Sequence, residues 1–452
     1  MNTKRQHRIA AWADRLAANR LGFKAWLAAQ QLEEAGFLYE QRRYLLDSDA
    51  LSWVDLGDNE VRCLRHLHAL TLLDALDDAD LGAMVTEPGE LHTLVSLYCR
   101  KGCFDRMAAR IDAADLGDAA EFDAVADALK WEAPRSWQRR LLQLTDCQDG
   151  LGAKLLAEVY GYRRWPIDGL LARASSLSEK LVWAIGRTGN RDGLALLESL
   201  VASDESPLRV PASIALLRWG EASHLKNIDP LVDSEHAAIL PLGLLGDTRW
   251  LERFARLASV SPSSELLLAL GLLGRSAAVE LLIPLTGDEI HGEHASTALQ
   301  LITGADLFES VFIPDEIREE ELTEAELERY RNGEPVYEPG CAPGRNVERL
   351  SRRPNTWSTW WEDHRQRFDP DLPYRLGRPY APSTLVAQLV SPRSSMLIRT
   401  LAYEELSIRY RLDFAFETDF LVSDQRQILA SVDRWLTDHQ EVAKRYTGAA
   451  SF

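Results

Sequence analysis

A chain of 452 residues with 51 Lys plus Arg against 69 Asp plus Glu carries a formal charge of −18. That balance argues against a general phosphate-binding surface, because polyanions are repelled, and points to proteins or small molecules as partners. Five cysteines, odd in number and scattered from Cys63 to Cys341, exclude a disulfide framework.

In chain order, residues 1–57 read as N-terminal helices, with Trp12, Leu16, Leu21, Phe23, Trp26 and Leu27 on amphipathic faces. Residues 58–150 read as degenerate helical hairpins. Val61, Leu64, Leu67 and Leu70 form one stripe there, while His66 and His68 point to different helix faces and cannot share a metal. Cys99 and Cys103 could share a face, yet no further Cys or His completes a tetrahedral zinc set, so no metal and no cofactor are expected.

Residues 151–305 carry the regular pattern. Six lines align on Gly161, Gly189, Gly220, Gly246, Gly274 and Gly304, spaced 28, 31, 26, 28 and 30 residues apart. A period near thirty is the length of a helical hairpin, and each glycine is expected to end a first helix in the left-handed conformation. Second helices such as that containing Leu194, Leu197, Leu200 and Val201 show one apolar stripe, which neighbouring hairpins must stack to bury. Ser176 with Glu179 has the spacing of a capping box.

Residues 306–380 interrupt the rhythm. An acidic helical stretch containing Glu319, Glu320 and Glu321, capped by Thr323 with Glu326, passes into a Pro/Gly-rich loop. A cluster of Trp357, Trp360 and Trp361 interleaved with Arg365 and Arg367 follows. Tryptophan and arginine are favoured at interaction hot spots, so these residues and the glutamates are the candidate partner-binding positions, with packing of the tryptophans as the structural alternative. Rapid proteolysis is expected between Pro335 and Pro354. Residues 381–452 read as a resumed repeat and C-terminal capping helices, the last apolar at Ile428, Val432 and Trp435.

No phosphate loop, HExxH zinc helix or GxSxG elbow occurs, and the Gly-x-Gly at Gly150–Gly152 lacks the third glycine and preceding strand of a nucleotide site. No catalytic residues are nominated and no enzyme is expected. The N-terminal MNTKRQHRIAAWADRL lacks the apolar core of a secretory signal, and the longest apolar run, Leu266–Gly274, is far shorter than the roughly 20 residues that cross a bilayer. A cytoplasmic protein without membrane insertion is therefore expected.

DESPLRVPA, with Arg209 and Ala212, and SPRSSMLIRTLA, with Arg399 and Ala402, each place an arginine three residues before a small alanine, which resembles the HEAT-type repeat. The resemblance implies that the alanine permits close helix approach and that the arginine bonds within or between repeats. Further phrases, in order, are FLYEQRRYLL (37–46), VRCLRHLHAL (61–70), ADALKW (126–131), the glycine lines, TWWEDHRQRF (359–368) and GRPYAP (377–382). Together they resemble a little-characterised bacterial HEAT-repeat family whose members are often encoded in type VI secretion gene clusters. The acidic helix at 315–330 lies outside that pattern.

The expected fold is all-α, a HEAT-like α-solenoid of stacked helical hairpins with one irregular insertion. The expected function is a non-catalytic scaffold or adaptor for a protein partner, such as a type VI secretion component or effector, with no nucleic acid bound. An immunity or inhibitor protein for a secreted toxin, and a HEAT-like lyase, are the alternatives.

Overall fold

The computed structural model describes residues 22–46, 52–73, 78–174, 176–203, 207–235, 238–315, 317, 319, 322–337, 341–439 and 441. The expected helix around Trp12 and Leu16 lies outside them. The described chain is predominantly helical, with two short antiparallel strand pairs, and no described helix is long and apolar enough to cross a membrane. It divides into two compact units, one formed by Met1–Asp247 with Ala381–Phe452 and the other by Thr248–Tyr380. The first division falls inside the glycine-marked series, the second at the end of the segment read as an insertion.

In the first unit, α1 (Gly22–Leu46), α2 (Leu56–Leu72), α3 (Pro88–Lys101), α4 (Phe104–Asp112), α5 (Ala119–Glu132), α6 (Leu151–Arg163), α7 (Glu179–Thr188), α8 (Leu194–Ala202), α9 (Arg209–Trp219) and α10 (Ile239–Leu245) follow in order. Helices α1, α3, α5, α6, α7, α9 and α10 form one row, each packed on the next. The row is tight because small residues meet in it. A Cβ on Gly161 would lie 2.2 Å from the Trp183 ring and 3.1 Å from the Ala184 Cα, and one on Gly186 would lie 2.8 Å from the Ala215 Cβ.

Helix ends follow local chemistry. Asp118 caps α5 through the amides of Ala120 and Glu121, and Ser178 caps α7 through that of Leu181. The cap of α7 is thus Ser178, not Ser176. Gly189, Gly220 and Gly246 close α7, α9 and α10 with φ of 66°, 87° and 76°. Gly161 departs from the expectation. It lies inside α6, and Arg164 takes the left-handed cap with φ 52°.

The second unit holds α11 (Leu251–Val260), α12 (Ser264–Leu273), α13 (Val279–Leu285), α14 (Gly292–Thr303), β1 (Phe308–Pro314), α15 (Glu324–Arg331), β2 (Gly344–Leu350), α16 (Pro354–His364) and the strand pair β3 (Tyr374–Arg375) and β4 (Arg378–Pro379). β1 pairs with β2 from Phe308↔Leu350 to Pro314↔Gly344. Part of the stretch expected to be an accessible loop is therefore a paired strand, which alternating Asn346, Val347, Glu348 and Arg349 did not announce. Gly274 and Gly304 close α12 and α14, where the Tyr374 amide donates to the Gly274 carbonyl (2.7 Å) and the Leu376 amide to that of Leu301 (2.8 Å).

The chain then returns to the first unit as α17 (Pro382–Val390), α18 (Met396–Tyr410) and α19 (Val422–Asp438). Helix α18 packs on α9 and α10, and α19 packs on α17 and α2. Residues 381–439 thereby run backwards along the row.

Gly189 and Gly274 separate two reasons for glycine. Both have positive φ, but a Cβ at Gly189 meets nothing within 4 Å, whereas one at Gly274 would lie 2.4 Å from the Tyr374 carbonyl oxygen. Gly189→Ala should lose about 1–2 kcal/mol, the ordinary left-handed cost, and Gly274→Ala distinctly more. Equal losses in urea denaturation would refute the close-approach argument.

Candidate functional site

Cations stand near the C-terminal ends of four helices of the row, Arg42 (α1), Lys130 (α5), Arg187 (α7) and Arg218 (α9), with Arg164 at the cap of α6. Cations at a helix C-terminus are favoured by the peptide dipoles, yet Arg42, Lys130, Arg187 and Arg218 are buried and need anions. α18 and the irregular segment 411–421 provide them for Arg218 and Arg187, in reverse order along the row, whereas Lys130 and Arg42 find theirs chiefly in Asp127, Glu158 and Glu60.

Arg409 of α18 donates to the carbonyls of Leu244 (2.7 Å) and Gly243 (2.8 Å), the orphan acceptors at the end of α10. Arg411 does the same for Leu217 (2.5 Å) at the end of α9. Arg218 reaches Glu404 (2.9 Å) and Asp413. Arg187 lies 2.6 Å from Glu404 and 2.7 Å from Glu417, and Arg164 contacts Glu417 at 2.8 Å and the Tyr403 hydroxyl at 3.1 Å.

Further along, Lys130 holds Asp127 (3.0 Å) and Glu158 (2.5 Å), with Asp419 at 3.8 Å. Arg42 donates to Glu60 (2.7 Å) and to the Asp419 carbonyl (2.8 Å), while the Val422 amide donates to Glu60 (2.7 Å). The segment reads Asp413-Phe-Ala-Phe-Glu-Thr-Asp-Phe420, acids alternating with aromatics. Phe416 is fully buried and Phe420 packs on Tyr162 at 4.5 Å.

Burial would raise the Glu404 carboxyl, but Arg187 and Arg218 outweigh it and hold it at about 2. Asp127 is likewise raised by burial and held at about 2 by Lys130, Arg43 and Arg42. In the same interior His92 stacks on Tyr39 at 3.9 Å and neither ring nitrogen has a hydrogen-bond partner. Burial lowers it to about 3, so it stays neutral beside Asp127, Arg42 and Arg100.

The structure places the sequence-nominated residues elsewhere. Trp357 and Trp361 point inward, and the Trp357 indole donates to the Ser351 carbonyl at 2.7 Å. Trp360 is half-buried and stacks on His364 at 4.3 Å, whereas Arg365 and Arg367 are exposed. Glu319 pairs with Arg331 at 3.0 Å on the surface. Glu320 and Glu321 lie outside the described residues. Arg209 bonds the Ser203 carbonyl (2.5 Å) and Glu235 (2.8 Å), with Ala212 buried beneath.

Arg399 donates to the Leu389 carbonyl (2.8 Å) and Gln425 (2.5 Å) and lies 4.1 Å from the Trp53 ring centroid. Burial lowers it to about 9. Ala402 is buried on the same helix. Among the described residues no group of three His, Cys, Asp or Glu could hold a metal ion. Scans against family models, curated proteins and solved structures return no match.

Sequence reasoning missed Glu404, Asp413, Glu417 and Asp419 and the cations that hold them. One signal was available, an arginine two residues before the glycine at both Arg187 and Arg218.

Two outcomes test this electrostatic account. Glu404→Gln removes the carboxylate that two buried guanidinium groups share, leaving Arg187 with Glu417 and Arg218 with Asp413, and should lose about 1.5–3 kcal/mol in urea denaturation at pH 7. A loss under 1 kcal/mol would show the ion pairs to be dispensable. For pH, lowered folded values of Glu404 and Asp127 mean stability present above the unfolded carboxylate range and lost as pH falls from about 4.5 towards 2. His92, neutral when folded, adds an earlier loss, since the unfolded chain takes up its proton below about 6.5. His92→Phe should therefore flatten the stability profile between about pH 6.5 and 4.5 by roughly 2–3 kcal/mol. An unchanged slope would show that His92 is charged in the fold.

Proposed function

We propose that this protein is a non-catalytic, HEAT-like α-solenoid scaffold that binds a protein partner, in the setting of type VI secretion that its sequence resemblance implies. One observation carries the reading. Successive helices of the row each direct a basic group at one extended acidic and aromatic segment, Asp413–Phe420, so the scaffold already performs peptide recognition on its own chain. Rows of stacked helices commonly bind through such repeated, in-register side chains. The buried charges of Arg42, Lys130, Arg187 and Arg218 are engaged in structural pairs, which supports a binding role over acid–base chemistry at these residues.

The tagged full chain, cross-linked in bacterial lysates with and without expressed secretion components, should capture a discrete partner that depends on those components. Capture of nothing in either lysate would sink the proposal.

A further inference from the structure

The buried cations of the row are held from two sources, and the sources differ in kind. Arg218 and Arg187 share Glu404 of α18, at 2.9 Å and 2.6 Å. Lys130 has Asp127 of α5 and Glu158 of α6, and Arg42 has Glu60 of α2. Those anions sit on packed helices. Residues 411–421, which are neither helix nor strand, supply a second set. Asp413 meets Arg218, Glu417 meets Arg187 and Arg164, and Asp419 stands 3.8 Å from Lys130.

A buried cation with no anion is costly, whereas one that keeps an anion is not stranded. With the irregular segment lifted away, Arg218, Arg187, Lys130 and Arg42 each retain a helix-borne carboxylate, and Arg164 retains the Tyr403 hydroxyl. The row would then present cations already set in place for an incoming acidic chain.

What fastens the segment is transferable. Tyr403, Gln425 and Arg42 donate to the carbonyls of Phe414, Thr418, Asp419 and Phe420, groups that any extended chain offers. The remainder is a side-chain pattern, with acids at Asp413, Glu417 and Asp419 and rings at Phe414, Phe416 and Phe420. Phe416 is fully buried, but the side chains of Asp413 and Asp419 are 39% and 36% exposed, so the segment lies at the surface like a strap. Its two ends are anchored on α18 and α19, which pack on other helices independently of it.

We propose that residues 412–421 are a built-in occupant of a peptide groove, and that a partner protein binds by displacing them with an extended acidic and aromatic segment of the same spacing. The proposal rests on the protein-binding reading above and adds the place of the contact, the chemistry of the partner and an autoinhibitory strap.

The probe is a fluorescein-labelled peptide with the sequence of residues 411–421, titrated with the full chain by anisotropy. The control peptide carries asparagine and glutamine in place of its acids. A tethered segment competes at an effective concentration on the order of millimolar, so the parent should bind the free peptide weakly. Asp413→Asn with Glu417→Gln weakens the tethered copy and leaves Glu404 in place, so this variant should bind the peptide at least about tenfold tighter than the parent. The control peptide should lose that gain. Adding Arg164→Gln, which removes a cation that meets the segment through Glu417, should lower the affinity again. Cooperative urea transitions establish that each variant is folded, and Asp413→Asn alone, at a partly exposed side chain, replaces the double variant where that does not fold. Absence of binding by a folded strap variant, equal affinity in parent and variant, or equal binding of the control peptide overturns the proposal. The lysate experiment run with parent and strap variant separates the two readings. Stronger capture of the partner by the variant is expected. Equal capture by both removes the strap and leaves the scaffold, whereas capture by neither removes the scaffold.

Discussion

Buried positive charge at the ends of stacked helices is the constraint on which the first unit depends. Each helix of the row ends with carbonyl groups that lack intrahelical partners, and a basic side chain there is locally favourable. Stacking the helices withdraws those basic groups from water, which turns a small local gain into a large cost unless anions arrive. For Arg218 and Arg187 those anions are Glu404, Asp413 and Glu417 of the C-terminal return, which also brings Asp419 within 3.8 Å of Lys130, while Lys130 and Arg42 are held more closely by Asp127, Glu158 and Glu60. The row and the return are therefore mutually dependent, and neither is a self-sufficient half.

The same problem is solved twice. In the first unit Arg409 and Arg411 satisfy the carbonyls at the ends of α10 and α9 with guanidinium groups. In the second, the amides of Tyr374, Leu376 and Gly377 satisfy those at the ends of α12 and α14 with backbone. The glycines that close these helices serve both solutions. Their positive φ ends the helix, and their missing side chain lets the capping group come close, within 2.4 Å of a notional Cβ at both Gly246 and Gly274. Arg164 shows the exchange in reverse, since a left-handed arginine is strained, but only a long basic side chain reaches Glu417 from that position.

Much of the local structure was legible. The apolar period announced the helices, the recurring glycines marked five helix ends, and Thr323 with Glu326 announced the cap of α15. The failures share a cause. Gly161 and Ser176 were read by pattern, but a tryptophan ring against Gly161 and the choice between Ser176 and Ser178 depend on neighbours distant in sequence or on backbone conformation. The strand β2 was invisible because its partner β1 lies well upstream, with Phe308 facing Leu350 and Pro314 facing Gly344. The tryptophans of α16 looked like a binding cluster in one dimension, and the fold turned Trp357 and Trp361 inward.

Sequence alone determined what each short segment becomes, because periodicity, caps and glycine conformation act over a few residues. Only the tertiary structure decided which charges meet. Asp413–Phe420 reads as an acidic, aromatic connection between two helices, and nothing local to it says that Arg218, some 195 positions earlier, is its partner. Pairing over that separation is set by the return of the chain along the row, which depends on the sum of packing contacts. The packed face of α19 is a product of the same return. Val422, Leu429 and Leu436 are written in the sequence as an apolar stripe, while their burial against α17 and α2 exists only because the chain returns there.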